Sequence, residues 1–186
     1  MSRTYQDILT EADEHFDRVV SEQSEHLLCR KGCSLCCYGL FEISAADVSL
    51  IVEAFGRLPG PDRDRLLENA RRLAVEPLSG LGPAEKEQFF ARTDSVPCPA
   101  LDEAGACTIY ESRPLVCRTF GLPLREGSRF IGDICELNFT EASRDEMERA
   151  AWDLEREDVL GTEDEFTIPE AILLAARMLG GHDPHR

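Results

Sequence analysis

The chain has 186 residues, 42% of them hydrophobic, which is enough for one domain with a real core and unlike a disordered or membrane-spanning composition. Its 36 acidic against 20 basic side chains give a formal charge of −16, which excludes an electrostatic hold on nucleic-acid phosphates or on an anionic membrane surface. The opening stretch MSRTYQDILTEADEHF lacks the apolar run of a secretory leader, and the apolar stretch AILLAARMLG is far shorter than a bilayer span. The expectation is a soluble, cytoplasmic protein.

Residues 4–27 carry apolar side chains three and four positions apart (Tyr5, Ile8, Leu9, Ala12, Phe16, Val19, Val20), the pattern of an amphipathic helix running almost to the first cysteine. His15 and His26 fall in it. His26 lies three residues before Cys29, but a histidine there more often faces the helix C-terminus than a metal. FEIS follows the first cysteine loop. Ser44, with Asp47 three residues on, then starts a helix whose apolar face is Val48, Ile51, Val52 and Phe55. Pro61 opens a third helix through Leu66, Leu67, Ala70 and Leu73, and AEKEQFFAR a short fourth.

Residues 93–139 have a different grammar of short β-like runs, prolines and glycines, with LREGSRFI a hairpin turning at Glu126-Gly127-Ser128. Beyond it, Thr140 is expected to cap a long helix through Met147, Trp152 and Leu154. Thr167 and Glu170 form a capping box for a last helix that Gly180-Gly181 ends. The tail HDPHR, with His182 and His185, reads as a solvated end. The fold expected is mainly α with a short β-hairpin: a single domain over 1–186 around an irregular cysteine-rich centre. That centre spans about 29–137, with a helical insertion at about 44–92 and a helical segment at 140–181.

The chemistry lies in the eight cysteines: Cys29, Cys33, Cys36, Cys37, Cys98, Cys107, Cys117 and Cys135. In a reducing compartment such a set points to metal rather than to disulfides. Four of the thiols sit in the nine residues CRKGCSLCC. That density is poor patterning for a hydrophobic core, and it brings mutual repulsion unless a cation lies among the sulfurs. Cys33 and Cys36 are spaced to face one centre, and Gly32 lets Cys29 reach it. Adjacent Cys36 and Cys37 diverge, so one of them faces a second centre or another edge of the first. Eight donors suit two four-coordinate sites or two clusters, with no assignment between them. Arg30, Lys31, Arg113, Arg118, Arg125 and Arg129 make both cysteine segments locally positive, which favours thiolate. Arg113 and Arg118 are candidates to support the ligands, and surface pairing with acids is the competing role. Pro114 shapes the turn that presents Cys117.

These pieces, a C-x3-C-x2-CC opening followed by CPAL, CTIY, RPLVCR and the eighth cysteine, resemble the YkgJ-like cysteine-cluster family over roughly residues 29–137. That resemblance implies a zinc- or iron-chelating domain with all eight cysteines as metal ligands, and it supplies no reaction. The expected function is metal binding in a structural or redox role. An iron–sulfur cluster or iron suits the adjacent cysteines better than plain zinc does. Two alternatives stand beside it. One is an enzyme linked to S-adenosylmethionine: a radical enzyme, since Cys29, Cys33 and Cys36 match C-x3-C-x2-C, or a protein methylase, since flagellin lysine methylases carry a similar cysteine cluster. Neither the strand–helix barrel of the former nor a glycine-rich nucleotide loop accompanies the triplet, so the reading leans away from an enzyme. The other is a metal chaperone or store.

Overall fold

Thr4 begins the first helix. Its side chain accepts from the Asp7 amide while the Asp7 carboxylate takes the Thr4 amide, closing a capping box for α1 (Tyr5–Glu22). The computed structural model describes residues 3–30, 32–73, 77–132, 135–156 and 165–180. Lys31, Gly181, His182 and His185 lie outside them. The protein is mainly α: seven α-helices and a few short strands among the described residues. It divides into two compact units, each made of two stretches of chain, 1–36 with 115–161 and 37–114 with 162–186.

In the first unit α1 packs against α5 (Leu115–Thr119). It buries Ile8, Leu9, Ala12 and Val19, the stripe expected from their spacing. The helix stops at Glu22, earlier than expected, because Gln23 leaves helical geometry and the chain turns through His26. The expected hairpin is present: β2 (Leu124–Glu126) pairs antiparallel with β3 (Arg129–Gly132), and Gly127 takes the left-handed conformation at the turn (φ 56°).

The helix expected from Thr140 is not there. Ser143 and Glu146 form the capping box instead, α6 covers Arg144–Ala150, and Trp152–Asp153 is a strand, β4, parallel to β2. Thr140 has Ser143, not an acid, three positions on and cannot complete the box. Trp152 gains complete burial in the sheet, with its amide donating to the Pro123 carbonyl at 2.8 Å.

In the second unit two strand–helix pairs mirror each other. β1 (Glu42–Ser44) leads into α2 (Ala45–Arg57), and β5 (Glu165–Thr167) leads into α7 (Ile168–Met178). The strands pair antiparallel, Ile43 opposite Phe166, and each ends in the N-cap of its helix, Ser44 and Thr167. Both capping boxes are those read from the sequence. α7 packs on α2 and on α3 (Gly60–Leu73). A Cβ at Gly56 would meet Leu179 at 3.2 Å, so the approach is close. α4 (Pro83–Thr93) places Phe89 against Leu40 and Leu78.

Candidate metal centre

Five of the cysteines belong to the first unit: Cys29, Cys33, Cys36, Cys117 and Cys135. Cys37, Cys98 and Cys107 belong to the second, so the boundary falls between the two adjacent thiols. None of the eight is in a disulfide.

A turn at Gly32 is followed by a short 3-10 segment, Leu35–Cys37. The Cys33 amide donates to the Arg30 carbonyl at 2.8 Å, and Gly32 sits at φ 95°, the tight backbone expected of a glycine there. A second segment, after Cys135, is clasped onto this one. The Phe139 amide donates to the His26 carbonyl at 2.7 Å, and the Leu28 amide donates to the Asn138 side-chain oxygen at 3.0 Å. Phe139 is held at φ 59°, an uncommon left-handed conformation for a bulky residue. Its buried ring stacks on His26 at 6.0 Å. His26 therefore packs beside the clasp, with Nε2 3.7 Å from a Glu146 carboxylate oxygen.

The clasp brings thiols far apart in sequence into electrostatic range. Burial pushes the Cys29 thiol up from 9.0 to about 11. A hydrogen bond from Asn138 opposes that rise, while the nearby sulfurs of Cys33, Cys135 and Cys36 add to it. A half-buried thiol among thiols resists ionising by itself, and a cation that takes its proton's place removes the penalty. The donor set therefore fits a soft metal. Cys33 is exposed, Cys29 and Cys36 are half-buried, and Cys135 is buried. Cys117 rides on α5, where the buried Arg118 is ion-paired with Asp13 of α1.

In the second unit the Cys98 amide donates to the Cys37 carbonyl at 2.7 Å, and Gly39 to Val96 at 2.8 Å, making Tyr38 and Pro97 antiparallel partners. A tight loop then returns the chain. Asp102 takes the amides of Ala104 and Ala106 on one carboxylate oxygen, and Leu101 pairs with Cys107. Arg113 stacks over the Tyr110 ring at 4.2 Å and donates to the Tyr110 carbonyl at 3.1 Å. It stands extended before the buried Pro114, as a residue preceding proline must.

Among the described residues no three or more His, Cys, Asp or Glu side chains are drawn together closely enough to hold a metal ion. A closed shell requires further convergence of these sulfurs. Sequence reasoning missed Asn138 and Gly121, both in contact with Cys29. A Cβ at Gly121 would lie 3.0 Å from the Cys29 sulfur. The one available signal was that Asn138 is one of only two asparagines in the chain and sits three residues after a cysteine. The other, Asn69, braces the loop of Cys98 by donating to the Pro99 carbonyl at 3.3 Å.

A family model described as "CxxCxxCC: Putative zinc- or iron-chelating domain" matches residues 28–136, more than half of the chain. The chain belongs to the CxxCxxCC family. The match runs from just before Cys29 to just past Cys135 and so takes in all eight cysteines. No curated protein and no solved structure matches the chain. No helix among the described residues is long and apolar enough to cross a membrane. Metal binding is thus the property that family and donor set share.

Proposed function

We propose that the protein holds iron or zinc through thiolates, and that Cys29, Cys33, Cys36 and Cys135 form one four-sulfur shell. The observation that carries this reading is the clasp inside one compact unit, in which Asn138, three residues after Cys135, accepts from the Leu28 amide and donates to the Cys29 sulfur. Cys37, Cys98 and Cys107 of the second unit, with Cys117, are the remaining donors. A zinc ion there would supply a cross-link with no open position, and an iron–sulfur cluster would supply one-electron transfer. The protein's own part is to hold the sulfurs, exclude water from Cys135 and donate a hydrogen bond to Cys29. Adjacent cysteines favour iron, and a reducing cytosol suits thiols without disulfides.

Elemental analysis with acid-labile sulfide, on protein purified without oxygen, tests the reading. Iron with sulfide, or stoichiometric zinc, supports it. A folded sample free of both overturns it. The exposure of Cys33 favours a second reading, a metal store or chaperone that hands its ion on through that thiol. In that case a mild chelator strips the metal quickly and the protein stays folded; melting on metal loss rejects the store.

A further inference from the structure

Asn138 is 1% exposed, and every polar atom of its amide is engaged. Its Oδ1 accepts from the Leu28 amide at 3.0 Å, and its Nδ2 donates to the Gly121 carbonyl at 2.9 Å and to the Cys29 sulfur at 3.3 Å. The backbone partners fix which way the amide points. An amide N–H only donates and a carbonyl only accepts, so Oδ1 must face Leu28 and Nδ2 must face Gly121. The second hydrogen on Nδ2 then meets the sulfur. Gly121 makes room for this: it sits at φ 97°, and a Cβ there would lie 2.7 Å from Nδ2 and 3.0 Å from the sulfur.

Three segments distant in sequence thus converge on a single sulfur. A clasp needed only to join backbone segments would be complete with the bonds to Leu28 and Gly121. The bond to Cys29 is an addition that acts on the thiol alone. We propose that Asn138 is a positioning residue that aims the Cys29 sulfur and weakens its electron donation to a bound metal ion. The inference rests on the reading that Cys29 is a ligand. An N–H donor draws charge from a thiolate, orients its lone pairs and favours its charged form. Such partners of ligands typically carry about 10–100-fold in metal affinity, and at iron–sulfur centres they raise the reduction potential.

The test loads the full chain with Co2+ and with 113Cd2+. Asn138→Asp keeps the size and the acceptor for Leu28 but loses the donors. It is expected to bind Co2+ roughly 10–100-fold more weakly, with the sulfur-to-cobalt charge-transfer band moved to lower energy. The unsubstituted 113Cd2+ protein is expected to show scalar coupling from the metal to a side-chain amide proton of Asn138. That measurement decides the matter even where the variant does not fold. Loading of the unsubstituted protein with no such coupling, and an unchanged band and affinity in Asn138→Asp, overturns this inference and leaves the ligand set standing. A Cys29→Ser protein with the same spectrum and affinity as the parent overturns both.

Discussion

Two demands meet at Gly121, a left-handed backbone and space for a sulfur, and any side chain fails both. Gly121→Ala is expected to cost roughly 1–3 kcal/mol in backbone strain alone. It should also lower metal affinity, because Cys29 and Asn138 must move aside; chemical denaturation and a metal titration check the two effects separately. His15 makes a different prediction. It is buried, its Nε2 donates to the Ala150 carbonyl at 2.9 Å, and its Nδ1 accepts from Arg18 at 2.8 Å. Burial holds its pKa below the usual 6.5. The bond to Ala150 opposes that, and Arg18, Arg156 and Arg125 reinforce it. The neutral ring belongs to the folded state, so the unfolded chain takes up the proton first. Stability from this site is full above pH 6.5 and is lost as pH falls from there through the depressed folded value. Melting temperatures of the parent should therefore drop between pH 7.5 and 5.5 more than those of His15→Gln; equal drops refute the assignment. The family was legible because clustered thiols have few other physical reasons to exist and their spacing carries its motif. Asn138 was not, because its partner at Cys29 lies 109 positions away and nothing local marks the pairing.

Two helix starts were read correctly at complete capping boxes, and a third complete box, Ser143 with Glu146, was passed over. Ser44 with Asp47 and Thr167 with Glu170 each satisfy two amides that would otherwise be orphaned at a helix end. Thr167 is fully buried between β5 and α7, so Thr167→Ala should remove about 1 kcal/mol, within 0.5–2, as a shift in urea midpoint. The same logic explains the misplaced helix after Cys135. Helical periodicity around Trp152 is real, but burial in a sheet outweighed it, and Ser143, not Thr140, had the acid at the required spacing. The length of α1 was overread for a related reason. Apolar spacing says which face is buried, and it says little about where a helix unwinds to let a thiol segment turn. The parallel β2–β4 pair and the β1–β5 pair join strands distant in the chain, so no short window displays them.

For the whole molecule, mainly helical architecture was evident from composition and periodicity, whereas two units each stitched from separate stretches leave no mark in local patterning. Their stability should depend on metal. An ion bound only by the folded chain adds about 2.7 kcal/mol at a free concentration one hundred times its Kd. A strong chelator should therefore lower the melting temperature, and Cys33→Ser or Cys36→Ser should lower metal content and melting temperature together. Full loading and unchanged melting in both variants would falsify the ligand assignment. The stitched construction of the first unit also bears on how the protein is made. In the proposed shell, Cys29, Cys33 and Cys36 are joined to the growing chain with the stretch 37–114 still to be synthesised before Cys135. At ~5–20 residues per second the roughly hundred intervening positions occupy on the order of 5–20 seconds. Through that interval three nascent thiols await their fourth companion, and it is the newborn chain that most needs protection from oxidants and from capture of the wrong ion.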